Sequence, residues 1–334
     1  MMLTFIDLFA GIGGFRYALE EHGGECVFSS EIDTKARQTY LNNFGDEPAG
    51  DIRDFTDISI TDEELDVGIP DHRILTGGFP CQPFSLAGVS SRNSLGRTHG
   101  FMDETQGTLF FDIARIAKVK RPDVLFLENV ANLVTHNKRQ TFETIKAVIE
   151  NDLGYSFHSK ILSSATLVPQ KRRRCFIVAF KNTDTPFAFP QLDGPELPLH
   201  SILDDDVSEK FTLSDRMWAG HQRRTRQNRA RGVGFSALEA DLSKPANTIV
   251  ARYYKDGKEC LVPQPNANPR MLTPNECRKL QGFPDTFTYH PSKSVAYKQF
   301  GNAVTVPLVS AIFQEIAKSL QATATDKERL LAAE

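Results

Sequence analysis

The sequence predicts an α/β fold, built on a doubly wound, mostly parallel sheet with a smaller inserted domain. Short apolar segments alternate with helical patterns from Leu3 to about Phe180, which is typical of parallel strands joined by crossover helices. Beyond Phe180 the chain is Pro-rich and polar, with few strong helical patterns before Thr273–Leu280. With 334 residues, 40% of them hydrophobic, the chain is long enough for one large and one small core.

The strands follow from short apolar runs bounded by turn residues. We expect them, in chain order, at Leu3–Phe9, Cys26–Ser30, Ile74–Gly77 and Asp123–Glu128, followed by an antiparallel pair near Ser156–Leu162 and Cys175–Phe180. Ligands of open α/β sheets bind beyond the carboxyl ends of the strands. Phe9, Glu31, Cys81 and Glu128 should therefore converge on one crevice, although they are distant in sequence.

The helices between these strands are marked by apolar spacing and by capping residues. Gly14–His22 ends at a pair of glycines, and Asp33 is placed to cap the following helix. Apolar residues at helical spacing between 109 and 117 predict a helix with one side in the core. A last helix over Tyr297–Ile316 would return to the large domain. We therefore predict a large domain of 1–187 plus 292–322, an insertion of 188–291, and a polar tail of 323–334.

Composition excludes several classes of protein. The sequence shows no apolar run near the roughly 20 residues that a membrane span needs, and it begins with a strand-like segment rather than a basic leader. Its five cysteines include no CxxC pair, and their odd number and scattered spacing fit neither a disulfide framework nor a zinc site. We expect a soluble protein of the reducing cytoplasm, with no membrane partner and no metal.

Charge is segregated along the chain, which the formal net charge of −3 conceals. The stretch His221–Arg231 holds five arginines and no acid, and Arg252 follows with two tyrosines and Lys255. Cations mixed with aromatic rings and glycine-rich backbone predict contact with nucleic-acid phosphates. A solvated basic surface is the alternative that composition leaves open.

Three short segments carry groups suited to chemistry. Gly77–Ser85 presents the thiol of Cys81 on a tight turn after an apolar strand, although a free cysteine is more often buried and inert. Glu128–Val130 closes another strand, and the basic run Gln170–Arg174 precedes a third. A nucleophile, an acid and cations thus recur where strands begin or end.

The Gly-rich turn Asp7–Phe15 predicts a ligand at the start of a helix. Gly11, Gly13 and Gly14 permit close backbone approach, but Arg16 stands where the dinucleotide-binding fingerprint has its last glycine. This spacing weakens the case for a bound phosphate. A plain tight turn is the alternative.

Two carboxylates near this turn indicate which kind of ligand it binds. Glu31 ends the second strand, where it can accept both hydroxyls of a ribose, and Asp51, beside Ile52, can accept an adenine amino group. Two carboxylates repel a pyrophosphate. They suit S-adenosylmethionine, a sulfonium without phosphates, although Asp51 taken alone could be an ordinary acid at the end of a loop.

Five segments together resemble the ordered motifs of the DNA (cytosine-5)-methyltransferases. They are Asp7–Phe15, Gly77–Ser85, Glu128–Val130, Gln170–Arg174 and Gln299–Val304, and they cover nearly the whole chain. The resemblance implies the fold of S-adenosylmethionine-dependent methyltransferases, with the large domain catalytic and the insertion recognising the target. It also implies a bacterial or phage modification enzyme that acts as a monomer on double-stranded DNA, alone or paired with a restriction endonuclease.

By this resemblance, S-adenosylmethionine would contact residues from both ends of the chain. Phe9 and Ile32 would pack on the adenine, while Leu109, Asn302 and Val304 would close the methionine side. The complete predicted set is Asp7, Phe9, Gly11, Gly13, Gly14, Glu31, Ile32, Asp51, Ile52, Leu109, Asn302 and Val304.

The resemblance implies a covalent mechanism, because cytosine C5 is too weak a nucleophile to take a methyl group unaided. Cys81 would attack C6, and Glu128 would hydrogen-bond N3 as charge develops there. Arg174 would contact the cytosine carbonyl oxygen, and Arg172 would order the site. A solvated basic turn is the alternative for both arginines.

Two further motif residues would support the reacting groups. Pro80 would fix the turn that carries Cys81. Asn129 would orient either Glu128 or the ribose of the target nucleotide.

The target cytosine must rotate out of the duplex, at a cost on the order of a few kcal/mol. Ser85–Gln106 would close over it as a mobile lid. The variable recognition region would lie between Arg174 and Gln299. The predicted DNA contacts are Gln82, Ser85, Arg92, Arg97, Arg223, Arg224, Arg226 and Arg252.

Two other functions stay open from the sequence. A transfer-RNA (cytosine-5)-methyltransferase would share the Pro80–Gln82 and Glu128–Val130 elements, and a catalytically silent DNA-binding module would keep the fold. The arginine-rich insertion favours duplex DNA over the first. The presence of both Cys81 and Glu128 argues against the second.

Overall fold

The computed structural model describes residues 3–80, 109–232 and 237–331, with backbone alone beyond 323. The predicted lid Ser85–Gln106 lies outside the described residues. So do five predicted site residues, which are Cys81, Gln82, Ser85, Arg92 and Arg97.

A six-stranded sheet organises the chain. The strands are β1 (Leu3–Leu8), β2 (Gly24–Ser30), β3 (Ile74–Gly78), β4 (Val124–Val130), β5 (His158–Ser163), β6 (Gln170–Lys171), β7 (Arg173–Phe180), β8 (Ala246–Asn247), β9 (Leu261–Gln264) and β10 (Ala267–Met271). The large sheet has the order β2-β1-β3-β4-β7-β5, while β6 pairs with β8 and β9 with β10. Strands β1 to β4 run parallel, and β7 is antiparallel to both β4 and β5. The predicted α/β class, the mostly parallel sheet and the antiparallel pair are confirmed.

Ten α-helices connect these strands in the described ranges. They are α1 (Gly14–Glu20), α2 (Thr34–Phe44), α3 (Arg53–Thr56), α4 (Asp62–Gly68), α5 (Leu109–Lys120), α6 (Gln140–Ala147), α7 (Asp215–Ala230), α8 (Pro274–Gln281), α9 (Lys293–Asn302) and α10 (Val306–Leu331). As predicted, Asp33 caps α2, because its Oδ1 accepts from the amide of Lys35 at 2.9 Å.

Helices cover both faces of the sheet. On one face Leu75 and Leu125 pack with α5, whose apolar stripe is buried as predicted. On the other face Phe5 and Phe126 belong to a core that includes α1 and α10 and continues into the insertion as far as Leu280. The insertion therefore shares a core with the sheet, and the domain limits stay predictions.

The last helix is broken, where the sequence predicted one helix over Tyr297–Ile316. Helix α9 ends at Asn302, and Ala303 is extended, with φ −62° and ψ 151°. Pro307 cannot donate the backbone hydrogen bond that a continuous helix would need, so a new helix begins at Val306. Helix α10 continues to Leu331 and takes in much of the segment predicted as a polar tail.

A long helix, α7, occupies a stretch where the sequence predicted no strong helix. Ser214 caps it, since its hydroxyl accepts from the amide of Met217 at 3.3 Å. The buried residues of α7 are His221 and Thr225, and both are polar. A helix with so narrow a buried face lacks the apolar periodicity by which a sequence reveals one.

Within one stretch of the described chain, Lys293–Thr323, an 18-residue window has a mean hydropathy of 1.3, so by length and composition alone this stretch could cross a membrane. The expectation that no such stretch exists was wrong. However, 56% of its apolar window is buried inside the protein. Helix α10, which forms its second half, packs against α1. The stretch is a core element of the fold, and its apolar character serves packing.

The insertion lies directly against α9 at Gly301. A Cβ at Gly301 would stand 2.3 Å from the carbonyl carbon of Val250 and 2.4 Å from the amide nitrogen of Ala251. Only glycine permits so close an approach of two backbones. By contrast, a Cβ at Gly220 in α7 would meet no described atom within 4 Å.

We predict opposite effects of alanine at these two glycines. Gly301→Ala should lower the free energy of unfolding by about 1–3 kcal/mol, because the added carbon overpacks against backbone. Gly220→Ala should raise it by about 0.5–1 kcal/mol, because alanine favours a helix interior. Urea denaturation measures both. Equal stability of Gly301→Ala and the wild type would contradict the close contact between α9 and the insertion.

Candidate active site

The carboxyl ends of the parallel strands form one edge of the sheet, where most of the predicted site residues lie. The register pairs Gly78 at the end of β3 with Glu128 of β4. Phe9, Glu31 and Pro80 follow the ends of β1, β2 and β3 within two residues. The edge thus brings together groups that the sequence places far apart.

Glu128 forms a buried ion pair with Arg174. The guanidinium Nε of Arg174 lies 2.9 Å from Glu128 Oε1. These side chains meet because β4 and β7 are antiparallel neighbours, with Val130 opposite Arg174. Burial raises the pKa of Glu128 above its ordinary value, although the charges of Arg174 and Arg172 act against this rise. The carboxyl can therefore hold a proton more readily than an exposed glutamate.

Arg172 is buried and ties three parts of the chain together. Its Nη1 donates to the carbonyl of Ile249 and its Nη2 to that of Gly301, both at 3.1 Å. Burial, together with the charge of Arg174, lowers the pKa of Arg172 to about 9, while Glu128 opposes the change. This position fits the predicted ordering role.

Asn129 fixes the backbone that leads to Cys81. Its Nδ2 donates to the carbonyl of Phe79 at 2.9 Å, and its Oδ1 accepts from the amide of Val130 at 2.8 Å. Among the described residues, neither of these bonds involves Glu128, which the sequence offered as one partner. The side chain joins the end of β4 to the residue before Pro80.

Gln170 has a structural role that the sequence did not reveal. Its Oε1 accepts from the amide of Ile249 at 2.9 Å, and its Nε2 donates to the carbonyl of Leu280 at 3.1 Å. Ile249 is therefore held at its amide by Gln170 and at its carbonyl by Arg172. A glutamine at the start of a short strand was the only signal, and it does not name partners some 80–110 residues away in sequence.

Glu31 is rigidly placed at the end of β2. Its Oε2 accepts from the amide of Gly11 at 2.9 Å, and its Oε1 accepts from the amide of Asp33 at 2.7 Å. Burial raises the pKa of Glu31, and these amides lower it again in part. Each carboxylate oxygen keeps a second lone pair with which it can accept a hydroxyl.

The adenine side of the predicted pocket combines a charged, a buried and an exposed residue. Asp51 accepts hydrogen bonds from Arg53, which lower its pKa, with Nε at 2.9 Å from Oδ2. Ile52 is 3% exposed and belongs to the core beneath the edge. Ile32 is 64% exposed, so it is the side chain that offers a flat ligand an apolar surface.

Asp7 is fully buried at the end of β1. Its Oδ1 accepts from the hydroxyl of Thr76 at 3.3 Å, whereas its Oδ2 has no partner among the described residues. Burial raises the pKa of Asp7 to about 7. A buried carboxyl oxygen without a partner is a candidate ligand contact.

The Gly-rich turn after β1 has the backbone that a close ligand needs. Phe9, Gly11 and Gly13 have positive φ angles of 56°, 58° and 83°. A Cβ at Gly14 would stand 2.6 Å from Val304 Cγ2, so the break between α9 and α10 lies against this turn. The remaining predicted residues are Leu109, which is half-buried, and Asn302, which is exposed.

The described cysteines are poor nucleophiles. Cys175, Cys260 and Cys277 are buried, and Cys26 is partly buried. Burial raises the pKa of Cys26, Cys175 and Cys260 to about 12, which disfavours the reactive thiolate. In the described part of the chain, no group of three His, Cys, Asp or Glu residues could hold a metal ion.

A model of the family described as C-5 cytosine-specific DNA methylase matches residues 3–318. The chain belongs to this family. Type II methyltransferase M.NlaX of Neisseria lactamica is 46% identical to it over 331 residues, which cover 98% of this chain and 100% of that protein. Type II methyltransferase M.HhaI of Haemophilus parahaemolyticus is 38% identical, with 95% of each chain covered.

Among solved structures, the S. pombe Dnmt2 methyltransferase matches with a TM-score of 0.73 at 18% identity, covering 96% of this chain and 99% of that one. A likeness at this identity shows the fold alone. The predicted family and the fold of this methylase are thus confirmed, and the chain is an enzyme of the DNA (cytosine-5)-methyltransferase class.

The predicted DNA contacts of the methylase differ in their surroundings. Arg223 and Arg226 of α7 and Arg252 are exposed. Arg224 instead lies against Asp256, with Nη2 at 3.5 Å from Oδ2, and the same nitrogen is 3.0 Å from His221 Nδ1. Arg224 is exposed as well, with 58% of its side chain accessible, but one of its nitrogens is engaged by Asp256 and His221.

The buried carboxyl of Asp7 generates a prediction about pH. Because the folded protein binds this proton up to a pH of about 7, against 3.8 for an ordinary aspartate, the unfolded chain ionises first and wild-type stability falls between these values. Asparagine cannot ionise. The unfolding free energy of Asp7→Asn relative to wild type should therefore rise by roughly 2–4 kcal/mol from pH 4 to pH 7.

Urea denaturation across this pH range measures the effect. Asp193→Asn at an exposed position is the matched control and should show no such trend. A constant difference between Asp7→Asn and wild type would mean that Asp7 is already ionised in the folded protein.

Proposed function

We propose that this methylase converts one cytosine within a short sequence of duplex DNA to 5-methylcytosine, through a covalent bond between Cys81 and C6 of the flipped-out base. The observation that supports this most is the buried pair of Glu128 and Arg174, which lies beside the segment leading to Cys81. A carboxyl that holds a proton next to a guanidinium suits a pyrimidine ring that must be bound at N3 and at its carbonyl oxygen.

Cys81 begins the reaction. Its thiolate forms the S–C6 bond, the pair of the C5=C6 double bond moves to C4=C5, and the pair of C4=N3 moves onto N3. Glu128 donates a hydrogen bond or its proton to N3, and Arg174 donates to the carbonyl oxygen. C5 is then nucleophilic. When C5 gains the methyl group, the C4=C5 pair forms the new bond, the N3 pair returns to C4=N3, and N3 gives back any proton that it took from Glu128. Removal of the C5 proton by a base then restores the C5=C6 double bond and expels the Cys81 thiolate.

The positive charges beside Glu128 favour the first step. A thiolate forms at lower pH when cations lie near it, and Arg172 and Arg174 supply such charges at this edge. Asn129 holds the carbonyl of Phe79, so the chain enters Pro80 and Cys81 from a fixed point.

The pocket at the ends of β1 and β2 suits S-adenosylmethionine. Glu31 keeps a lone pair on each carboxylate oxygen for the ribose hydroxyls, and Ile32 presents an apolar surface for the adenine. Arg16, the cation of α1, is engaged by Glu20 at 2.6 Å and Asp46 at 2.7 Å, so it does not offer a phosphate site. When bound, this cofactor supplies a methyl group carried on a positively charged sulfur.

The biological setting follows from the relatives. Several are named type II methyltransferases, and we extend this to a cytoplasmic enzyme that acts as a monomer beside a restriction endonuclease of the same target. Methylation would protect the host copy of that target from cleavage.

The test is transfer of labelled methyl from S-adenosylmethionine to DNA, followed by bisulfite sequencing of a genome-scale substrate. Methylation at C5 within one short motif is the expected result, and it would identify the target. Transfer to RNA but not to DNA would replace the proposal by a transfer-RNA methyltransferase. Absence of both would leave a DNA-binding module without catalysis.

Cys81→Ala should abolish methyl transfer, lowering turnover below detection, while cofactor affinity stays unchanged, because the variant loses only the nucleophile. On duplexes with 5-fluorocytosine at the target, wild type should form a complex that resists denaturation, since fluorine cannot leave as a proton does. Cys81→Ala should form none. Cys26→Ala is the control and should still trap the DNA; a trapped complex with Cys81→Ala would refute the assigned nucleophile.

Glu31→Ala should weaken cofactor binding at least 10-fold, where each factor of 10 corresponds to about 1.4 kcal/mol. Turnover at saturating cofactor should change less than 3-fold, because in this proposal the carboxylate contacts the ribose and not the reacting atoms. Calorimetric titration and initial rates measure these two quantities. Glu25→Ala on the exposed part of β2 is the control. A loss of turnover with unchanged affinity would remove Glu31 from the cofactor pocket.

A further inference from the structure

About half of the arginines in the described residues form ion pairs with carboxylates. Examples are Arg73 with Asp123 at 2.7 Å, which joins the starts of β3 and β4, and Arg278 with Asp285 at 2.6 Å. Ion pairs of this kind cancel the field of the guanidinium at a distance. An arginine without such a partner is therefore informative about what binds the surface.

Four exposed arginines of helix α7 form no ion pair among the described residues, and they are Arg216, Arg223, Arg226 and Arg229. The last three recur at a spacing of three residues. No carboxylate of the described residues forms an ion pair with any of them, and the sequence contains no Asp or Glu from Arg216 to Leu238. Residues three apart are neighbours on a helix surface, so the three form one ridge, which we call the arginine ridge. Like charges at this spacing oppose helix formation, so the ridge does not serve the stability of α7.

The other side of α7 is hydrogen-bonded to neighbouring parts of the insertion. His221 Nε2 lies 3.0 Å from the carbonyl oxygen of Asp256, and the hydroxyl of Thr225 donates to the carbonyl of Ala237 at 3.1 Å. Arg224 joins this attachment through Asp256 and His221. The helix is thus held from one side while the arginine ridge faces solvent.

We propose that the arginine ridge binds the phosphates of duplex DNA independently of sequence, and that Arg224 positions α7 instead of contacting DNA. This rests on the proposed function and deepens it. The ridge spans about 9 Å of helix axis, and one strand of B-DNA carries a phosphate about every 3.4 Å along its axis, so the ridge can reach about three phosphates. Guanidinium groups bind phosphates bidentately, which suits the arginine ridge to the backbone of a nucleic acid.

The salt dependence of binding measures the number of phosphates contacted. The probe is a random-sequence duplex of about 30 base pairs, and the readout is the slope of log K against log salt concentration by fluorescence anisotropy. Each lost contact should reduce the slope by about 0.9. The triple variant R223Q/R226Q/R229Q should therefore show a slope smaller by about 2–3 than that of wild type, whereas Arg224→Gln should keep the wild-type slope.

Two matched variants separate the ridge from general charge and from misfolding. K118Q/K160Q/K318Q removes the same three charges from exposed positions on α5, β5 and α10 and should keep the slope. R223K/R226K/R229K retains the charges and should restore most of it. An equal slope for the two triple glutamine variants, or a lysine variant as weak as the glutamine one, would overturn the proposal.

Comparisons with target DNA and with RNA also test the proposal. Once methylation mapping has given the target, the triple glutamine variant should lose the same factor in affinity on target and random duplexes; a loss confined to the target would overturn sequence independence. A smaller slope on double-stranded RNA alone would assign the ridge to RNA. These experiments measure binding and not methyl transfer. The ridge proposal can therefore be wrong while wild-type methyl transfer is observed, and the salt slopes can be interpreted even if no methyl transfer is found.

Discussion

The buried guanidinium of Arg172 holds the carboxyl-end edge of the sheet and the insertion in one arrangement. Its two hydrogen bonds end on the carbonyls of Ile249 and Gly301, one in the insertion and one in α9. A buried charge without partners costs several kcal/mol. Both carbonyls and the nearby Glu128 stabilise the charged form of Arg172, while burial and the charge of Arg174 act against it and lower its pKa to about 9.

Backbone groups of Ile249 and Gly301 also take part in this contact between the insertion and the rest of the chain. Ile249 is bonded at its amide by Gln170 and at its carbonyl by Arg172, so two side chains of one short basic run fix a single residue of the insertion. Gly301 lies so close to Val250 and Ala251, which follow Ile249 in the insertion, that α9 and the insertion cannot slide past each other. On the insertion side the bonds to Gln170 and Arg172 use only backbone atoms of Ile249, so this attachment does not depend on the side chain at position 249.

The sequence predicted the sheet well because its strands are buried on both faces and appear as short apolar runs. It also located Glu128 and Glu31, since acids at strand ends meet at one edge whatever their separation in sequence. It missed α7, whose buried residues are polar. It grouped Arg224 with Arg223, because the Asp256 that engages Arg224 lies in another turn of the insertion. Pairings of this kind depend on tertiary contacts, which composition and periodicity do not contain.

Two buried carboxyls at this edge of the sheet, Asp7 and Glu128, differ in the cations near them. Asp7 and Glu128 both have a raised pKa because they are buried. For Asp7 the hydroxyl of Thr76 and the charge of Arg16 oppose this rise, and the pKa is about 7. Glu128 has Arg174 at 2.9 Å, which stabilises the ionised form at the same position. In the mechanism that we propose, burial favours the protonated form of Glu128 that would hydrogen-bond N3 of the cytosine, and Arg174 would stabilise the carboxylate if that proton is passed to the ring.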